Sequence, residues 1–201
     1  VSAELAFVGD IHGNLSALKG LWNLITRNQI SHTIFLGDYI NKGKQSAAVL
    51  DELLAHAATG KATLLAGNHE KALLHALERK DLSAFLKIGG AATIRSYIGN
   101  RVGPDVLDEF TTKLPRKHLD ELRRMPMVYE TDDLIAQHIP PQSPIHKYII
   151  SAHAPVGDLP RVGPYSSQLD TGCGSESGRL TALLWPGLNY LQVDSHGFQV
   201  S

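Results

Sequence analysis

The 201-residue chain carries 19 Lys and Arg against 20 Asp and Glu, a formal net charge of -1 with its ten histidines neutral. That balance excludes the broad electrostatic pull toward nucleic acid or a membrane surface that a strongly basic protein has. A 43% hydrophobic and 19% charged make-up belongs to an ordinary globular chain, not a disordered one. The single cysteine, Cys173, rules out an intrachain disulfide or a thiolate cluster and suits a reducing, cytoplasmic setting. No apolar run approaches the roughly 18 residues of a membrane span. The length fits one domain over residues 1–201, and a start at Val1 in place of Met leaves room for a removed upstream segment.

In chain order, Leu5-Ala6-Phe7-Val8 is the short apolar run of a strand buried on both faces. Gly9-Asp10-Ile11-His12-Gly13 then makes a polar turn bracketed by glycines, and Asn14 can cap a helix over 15–27 marked by Leu15, Leu18, Trp22 and Ile25. A carboxylate and an imidazole two positions apart at a strand end can hold a metal, but the same residues suit a merely polar turn. The pattern recurs twice. Thr33–Leu36 runs into Gly37-Asp38 and a loop through Asn41-Lys42, with a helix following through Val49, Leu50, Leu53, Leu54 and Ala57. Ala62–Ala66 runs into Gly67-Asn68-His69-Glu70 and a helix through Leu73, Leu74 and Leu77. Such βα alternation implies a parallel sheet, whose ligands gather at the carboxyl ends of its strands. Three polar strand ends in phase argue for one shared site.

The middle reads as helical: a turn at 87–93, then two short helices over 104–124, with Pro115 at the start of the second. The basic residues Arg116, Lys117, Arg123 and Arg124 read as a solvated face. The last third breaks into short strand-like runs at 128–130, 134–137, 148–152, 169–173, 180–185 and 190–193, expected to form a largely antiparallel second sheet. Two of these runs end in His138 and His153.

Asp10, His12, Asp38, Asn68, His69, His138 and His153 are thus the strand-end residues. Carboxylate, amide and imidazole without thiolate suit Mn, Fe or Zn. Six ligands exceed what one tetrahedral zinc uses, whereas two metals sharing one carboxylate use them all. A further histidine suits protonation of a leaving oxygen near neutral pH.

GDIHG (9–13), GDYINKG (37–43) and GNHE (67–70) together resemble the three signatures of the phosphoprotein phosphatase (PPP) family of calcineurin-like metallophosphoesterases, in order and with similar gaps of about 28 residues. GGAATIRSY (89–97), MPMVYETDDLIAQH (125–138), SAHAPV (151–156) and LDTGCGSESGRLTAL (169–183) resemble small bacterial members. The resemblance implies a four-layer α/β/β/α sandwich, two mixed sheets flanked by helices. It implies that Asp10, His12 and Asp38 hold one divalent metal, that Asp38 bridges, and that Asn68, His138 and His153 complete the second, with Asn68 also near substrate. His69 would be the general acid, oriented from position 41. Three departures stand out. Asn41-Lys42 replaces the usual Asp-Arg, so an uncharged amide faces the histidine and a point charge replaces a planar fork. Ile139-Pro140 replaces glycines. His138 and His153 are 15 positions apart, an interval without the usual phosphate-binding arginine; His146 and Lys147 are its only basic residues, and Arg161 is the nearest substitute beyond it.

The expected activity is hydrolysis of phosphate monoesters by metal-activated hydroxide, as in serine/threonine phosphatases. The alternative is dinucleoside polyphosphate hydrolysis, and a rival of another class is a metal-binding scaffold with little turnover. Two manganese ions and a phosphorylated protein or nucleotide are the implied cofactors and partner; nucleic acid and membrane are not. His56, His75 and His118 read as surface or boundary residues on helices, His32 and His196 as lying near turns without a partner pattern, and Cys173 as a packed thiol.

Overall fold

The computed structural model describes residues 5–101, 103–142 and 146–200; Val1–Glu4, where the chain start was read, and Ser143–Ile145, within the His138–His153 interval, lie outside the described residues. The first three strands are β1 (Leu5–Val8), β2 (His32–Phe35) and β3 (Ala62–Leu64), separated by helices α1 (Leu15–Arg27) and α2 (Ser46–Ala58). β1 pairs parallel with β2 and β2 with β3, as the βα alternation requires. Helix α1 begins where expected because the Asn14 side chain accepts the Ala17 N–H at 3.0 Å. Helices α3 (Asn68–Arg79), α4 (Ser83–Lys87), α5 (Gly90–Ile98), α6 (Val106–Lys113) and α7 (Arg116–Arg124) follow. The break between α4 and α5 falls at Gly89, whose φ of 89° ends one helix before Gly90 starts the next.

The remaining strands are β4 (Val128–Glu130), β5 (Leu134–Gln137), β6 (Tyr148–Ser151), β7 (Arg161–Val162), β8 (Ser166–Gln168), β9 (Leu180–Trp185) and β10 (Asn189–Val193). They do not all build one antiparallel sheet. The second sheet runs β4-β5-β6-β8-β7, with β5, β6 and β8 parallel and only the outer strands antiparallel. Strands β9 and β10 cross back to extend the first sheet as β10-β9-β1-β2-β3, β9 lying antiparallel against β1. β9 sits between two neighbours with Leu180, Ala182 and Leu183 buried. Its buried Thr181 is satisfied by Thr171 Oγ1 and Gln192 Nε2, each at 2.8 Å. Residues 169–173, expected as a strand, form a loop instead: Leu169 N–H bonds Ser151 O, but Thr171 O accepts from Arg179, across a turn.

Two cores result, one on each face of the first sheet. Alternation along β1 sends Phe7 to the face shared with the second sheet, where it meets Ile34, Leu36, Leu65, Leu134, Ala136, Ile150 and Leu183. It sends Ala6 and Val8 to the helical face with Leu18, Leu21, Leu50 and Leu53. Both faces of β1 are therefore apolar, which is why its sequence is a continuous apolar run. α1 packs on β9 and β10, and α2 on β3. The architecture is two mixed five-stranded sheets flanked by helices.

His118 is not a surface residue. It is 1% exposed on α7, held between Tyr97 Oη at 2.8 Å and Asp51 Oδ1 at 2.9 Å, and so ties α7 to α5 and α2. Arg116, Lys117, Arg123 and Arg124 are exposed, as expected. Cys173 is a packed thiol whose Sγ–H donates to Ile11 O at 3.2 Å, and burial pushes it up to about 12. No helix among the described residues is long and apolar enough to cross a membrane.

Gly20 on α1 touches the Gly197 backbone, in the turn after β10, where an added Cβ would collide with the Gly197 carbonyl oxygen. Gly20→Ala, worth about 0.8–1 kcal/mol of gain in an isolated helix, should here cost about 1–3 kcal/mol by overpacking. Urea unfolding measures it; a midpoint at or above that of the parent protein would contradict this packing.

Candidate metal centre

The parallel strands deliver their polar ends to one place. Asp10 and His12 follow β1, Asp38 follows β2, Asn68 and His69 follow β3, and His138 and His153 follow β5 and β6 of the second sheet. The loops are tied to each other before any side chain is considered: Ile11 and His12 N–H both donate to Asp38 O, at 3.1 and 2.9 Å, and Gly13 N–H to Tyr39 O at 2.8 Å. The backbone here is strained. Five of the eight non-glycine residues with left-handed φ among the described residues are His12, Asp38, Asn41, Lys42 and His153. Such conformations persist only where surroundings impose them, and they cluster at functional sites.

Two sets of donor atoms form, with Asp38 common to both. His12, Asp38 and His69 offer atoms within 4.8 Å of one another, and so do Asp38, His138 and His153. In the second set, Asn68 Oδ1 lies 2.8 Å from both His138 Nε2 and His153 Nδ1, which are 3.2 Å apart, and Asp38 Oδ2 is 3.3 Å from His138 Nε2. In the first, Asp10 Oδ2 lies 3.4 Å and Asp38 Oδ2 3.9 Å from His12 Nε2. His12 Nδ1 faces the Ile40 carbonyl at 3.0 Å, so Nδ1 carries the proton and Nε2 keeps its lone pair for a ligand. Asp10 Oδ2 and His138 Nδ1 are buried without a hydrogen-bond partner. Converging lone pairs, an orphaned carboxylate oxygen and a set of O and N donors without sulfur fit divalent cations.

Charge follows the same geometry. Burial alone would raise the Asp38 carboxyl, but the His138 hydrogen bond and the nearby histidines hold it at about 2. Burial brings His69 down to about 4, only partly offset by Asp38. His138 moves up despite its burial, because of its bond to Asp38.

The surrounding cations divide sharply. Lys42 Nζ reaches His12 Nε2 at 2.7 Å from an exposed position. Arg161 lies on β7, the outermost strand, in register with Gln168 of β8 and through it with Ser151 of β6, at the end of the second sheet that carries His153. Lys147 is bound to Glu130 Oε1 at 2.9 Å and Thr131 O at 2.5 Å, and His146 lies with it before β6, at the end of the sheet away from His153. Asn41, expected to orient His69, does meet it: Nδ2 is 2.7 Å from His69 Nδ1.

Four residues beyond the expected set shape the site. Glu70, fully buried, accepts the N–H groups of Gly67 (2.9 Å), Asp38 (2.8 Å), Tyr39 (2.8 Å) and Ile40 (3.4 Å). Burial and the Asp38 charge push its carboxyl up to about 7, against the pull of those N–H groups. Its place at N3 of α3, in Gly-Asn-His-Glu, was the legible signal. Gly67 must be glycine, since a methyl there would strike Asp38 N and Oδ1. Thr93, on α5, bonds both the backbone and the amide of Asn41. Asp170 sits buried beside Asp10, its carboxyl pushed up to about 6 first by burial and then by the Asp10 charge; the loop that carries it read as a strand.

A family model of calcineurin-like phosphoesterases matches residues 3–190. The chain belongs to that family. It is 39% identical over 74 residues to the Drosophila melanogaster serine/threonine-protein phosphatase 6 catalytic subunit, a match covering 35% of this chain and 24% of that relative's length. Among solved structures, a protein provisionally assigned as a diadenosine tetraphosphatase superposes with a TM-score of 0.66 at 20% identity, over 96% of this chain and 94% of that one. A metallophosphoesterase from Sphaerobacter thermophilus does so at 0.58 and 14%, over 100% and 89%. A Saccharomyces cerevisiae serine/threonine phosphatase similar to human PP5 does so at 0.51 and 13%, over 92% and 74%. These likenesses carry the metallophosphoesterase fold.

If Asp38 is the shared ligand, Mn²⁺ should raise the melting temperature of the parent protein with concentration, as any ligand of the folded state does, and should leave Asp38→Ala unmoved. Glu70→Gln, which turns a donor toward N–H groups, should cost about 1.5–3 kcal/mol and weaken the Mn²⁺-dependent rise. Calorimetric scans with and without Mn²⁺ test both; a full rise in Asp38→Ala would remove Asp38 from the ligand set.

Proposed function

We propose that the chain is a dinuclear-metal phosphoesterase that hydrolyses phosphate monoesters by direct transfer of the phosphoryl group to water, without a covalent enzyme intermediate. The observation that carries this reading is the doubled donor set with Asp38 in common. Asp10, His12 and Asp38 would hold one divalent ion, and Asp38, Asn68, His138 and His153 the other; Mn²⁺ suits these donors, with iron and zinc as alternatives. Bound there, such a pair supplies Lewis-acid charge to the phosphoryl oxygens and acidifies a water.

The chain's own residues do the rest. His69, whose Nε2 lies 3.6 Å from Asp38 Oδ2 in the first donor set, is left free of the metal by Asp10 and is assigned to the leaving oxygen. Lys42 offers the substrate phosphate a mobile point charge. Beside Asn68 and His138 opens a cavity of about 150 Å³ with Met127, Val128 and Ile139 as apolar walls and Lys71 on its lining. Ile139 stands where the family places a glycine and is 50% exposed, so this wall is peculiar to the chain and is suited to contact the group attached to the phosphate. Arg161, in register with Gln168 and Ser151, is suited to meet the part of a substrate that extends beyond the phosphate. A dinucleoside polyphosphate is the second reading, favoured by the neutral amide that faces His69.

With Mn²⁺, hydrolysis of 4-nitrophenyl phosphate should appear and be abolished by EDTA. His69→Ala should retain metal-dependent thermal stabilisation yet slow turnover by roughly 10²–10³, the usual worth of a hydrogen bond to a developing oxyanion. Metal uptake with no turnover of any phosphoester above background would instead make the chain a metal-binding scaffold.

A further inference from the structure

Thr93 and Asn41 form a closed set of hydrogen bonds that decides which nitrogen of His69 carries the proton. Thr93 Oγ1 accepts the Asn41 backbone N–H at 2.8 Å, which leaves its own proton for Asn41 Oδ1 at 2.7 Å. Ser46 Oγ, 3.1 Å from the same hydroxyl and 3.2 Å from Asn41 N, completes the ring, and all three side chains are buried. The two ends of the Asn41 amide are told apart by what they face. The end toward His69 also lies 3.4 Å from the carbonyl oxygen of Ile88, which only accepts. An amide oxygen there would oppose that carbonyl; an amide nitrogen suits it. Nδ2–H therefore points at His69 Nδ1, 2.7 Å away, and a nitrogen that accepts this bond has no proton of its own. The remaining ring proton sits on Nε2, the atom directed at Asp38 and the donor set.

We propose that Thr93 is a positioning residue that locks the Asn41 amide and, through it, the Nε2–H tautomer of neutral His69, and that this confines the enzyme to substrates whose leaving oxygen departs on a hydrogen bond alone. The proposal rests on the phosphoesterase reading above. Water sheds a proton to solvent as its oxygen bonds to phosphorus, the bond from phosphorus to the leaving oxygen breaks, and its electron pair stays on that oxygen, which takes any proton it needs from solvent after departure. A carboxylate at position 41 would accept a proton from Nδ1 and stabilise an imidazolium able to give up its Nε2 proton. An amide donating to Nδ1 does the reverse, so Nε2–H steadies the departing anion without transferring to it. A phosphate leaving group, whose second ionisation lies near about 6, or a phenol near about 10, tolerates this. A serine alkoxide, as basic as hydroxide with water near about 15.7, does not. The favoured substrates are phosphoanhydrides and aryl phosphates; alkyl phosphoesters are disfavoured.

Long-range proton–nitrogen NMR of the ¹⁵N-labelled protein loaded with Mg²⁺ reads the tautomer directly. His69 Nδ1 should be unprotonated in the parent protein and in Thr93→Ser, and protonated in Asn41→Asp; a protonated Nδ1 in the parent protein overturns the proposal. Kinetically, the parent enzyme should prefer 4-nitrophenyl phosphate and diadenosine tetraphosphate over a phosphoserine peptide, and Asn41→Asp should narrow that preference at least about tenfold. Thr93→Val should lower kcat about tenfold with KM and metal content unchanged, and Thr93→Ser should restore it. Equal use of phosphoserine by the parent enzyme contradicts the leaving-group claim. If no substrate is turned over at all, the phosphoesterase reading and the leaving-group claim fall together, while the nitrogen spectrum still decides the tautomer.

Discussion

The site depends on one buried carboxylate. Glu70 gathers the N–H groups of Asp38, Tyr39 and Ile40 from the β2 loop together with that of Gly67 from its own loop. Those N–H groups would otherwise be stranded in a dry interior, since the left-handed φ of Asp38 takes them out of any ladder. The same turn leaves the Asp38 carbonyl free to accept from Ile11 and His12. One side chain thereby fixes two loops, and Asp38 stands between the two donor sets because its backbone has nowhere else to go. The second sheet then needs only to deliver His138 and His153 from the ends of adjacent parallel strands.

Much of this was legible in the sequence because the first half obeys local rules. Parallel strands buried on both faces read as apolar runs, Asn14 announces α1, and the three Gly-led polar turns repeat after three strands. What stayed hidden was set by tertiary partners. Nothing local in Leu180–Trp185 says that it pairs with β1; the choice is made when the chain crosses back to cover the edge of β1. The run 169–173 reads like a strand, yet its backbone finds partners at the end of β6, at Val156 in the loop beyond it and at Arg179 ahead of β9. His118 looks like any helical histidine until Asp51 and Tyr97, 67 and 21 residues away, close on it. Thr93 lay in a segment legible only as a helix start; its tie to Asn41 spans 52 positions.

The departures from the motifs that the chain resembles lie at the edge of the proposed site. At position 41 an amide replaces a carboxylate, and a hydroxyl from α5 holds it. At position 42 a lysine reaches back to His12 Nε2, so its ammonium would compete with the proposed cation for that nitrogen. At position 139 an isoleucine replaces glycine and builds an apolar wall beside Asn68 and His138. The proposed ligand sets keep the residues of the motifs they resemble, and the departures fall beside them.

The central claim is that Asp38 is shared between two cations. Anomalous diffraction from Mn²⁺-soaked crystals tests it most directly. The account predicts two peaks, one against Asp10 and His12, the other against Asn68, His138 and His153, with Asp38 touching both. A single peak, with the Lys42 ammonium in place of the first ion, would contradict it.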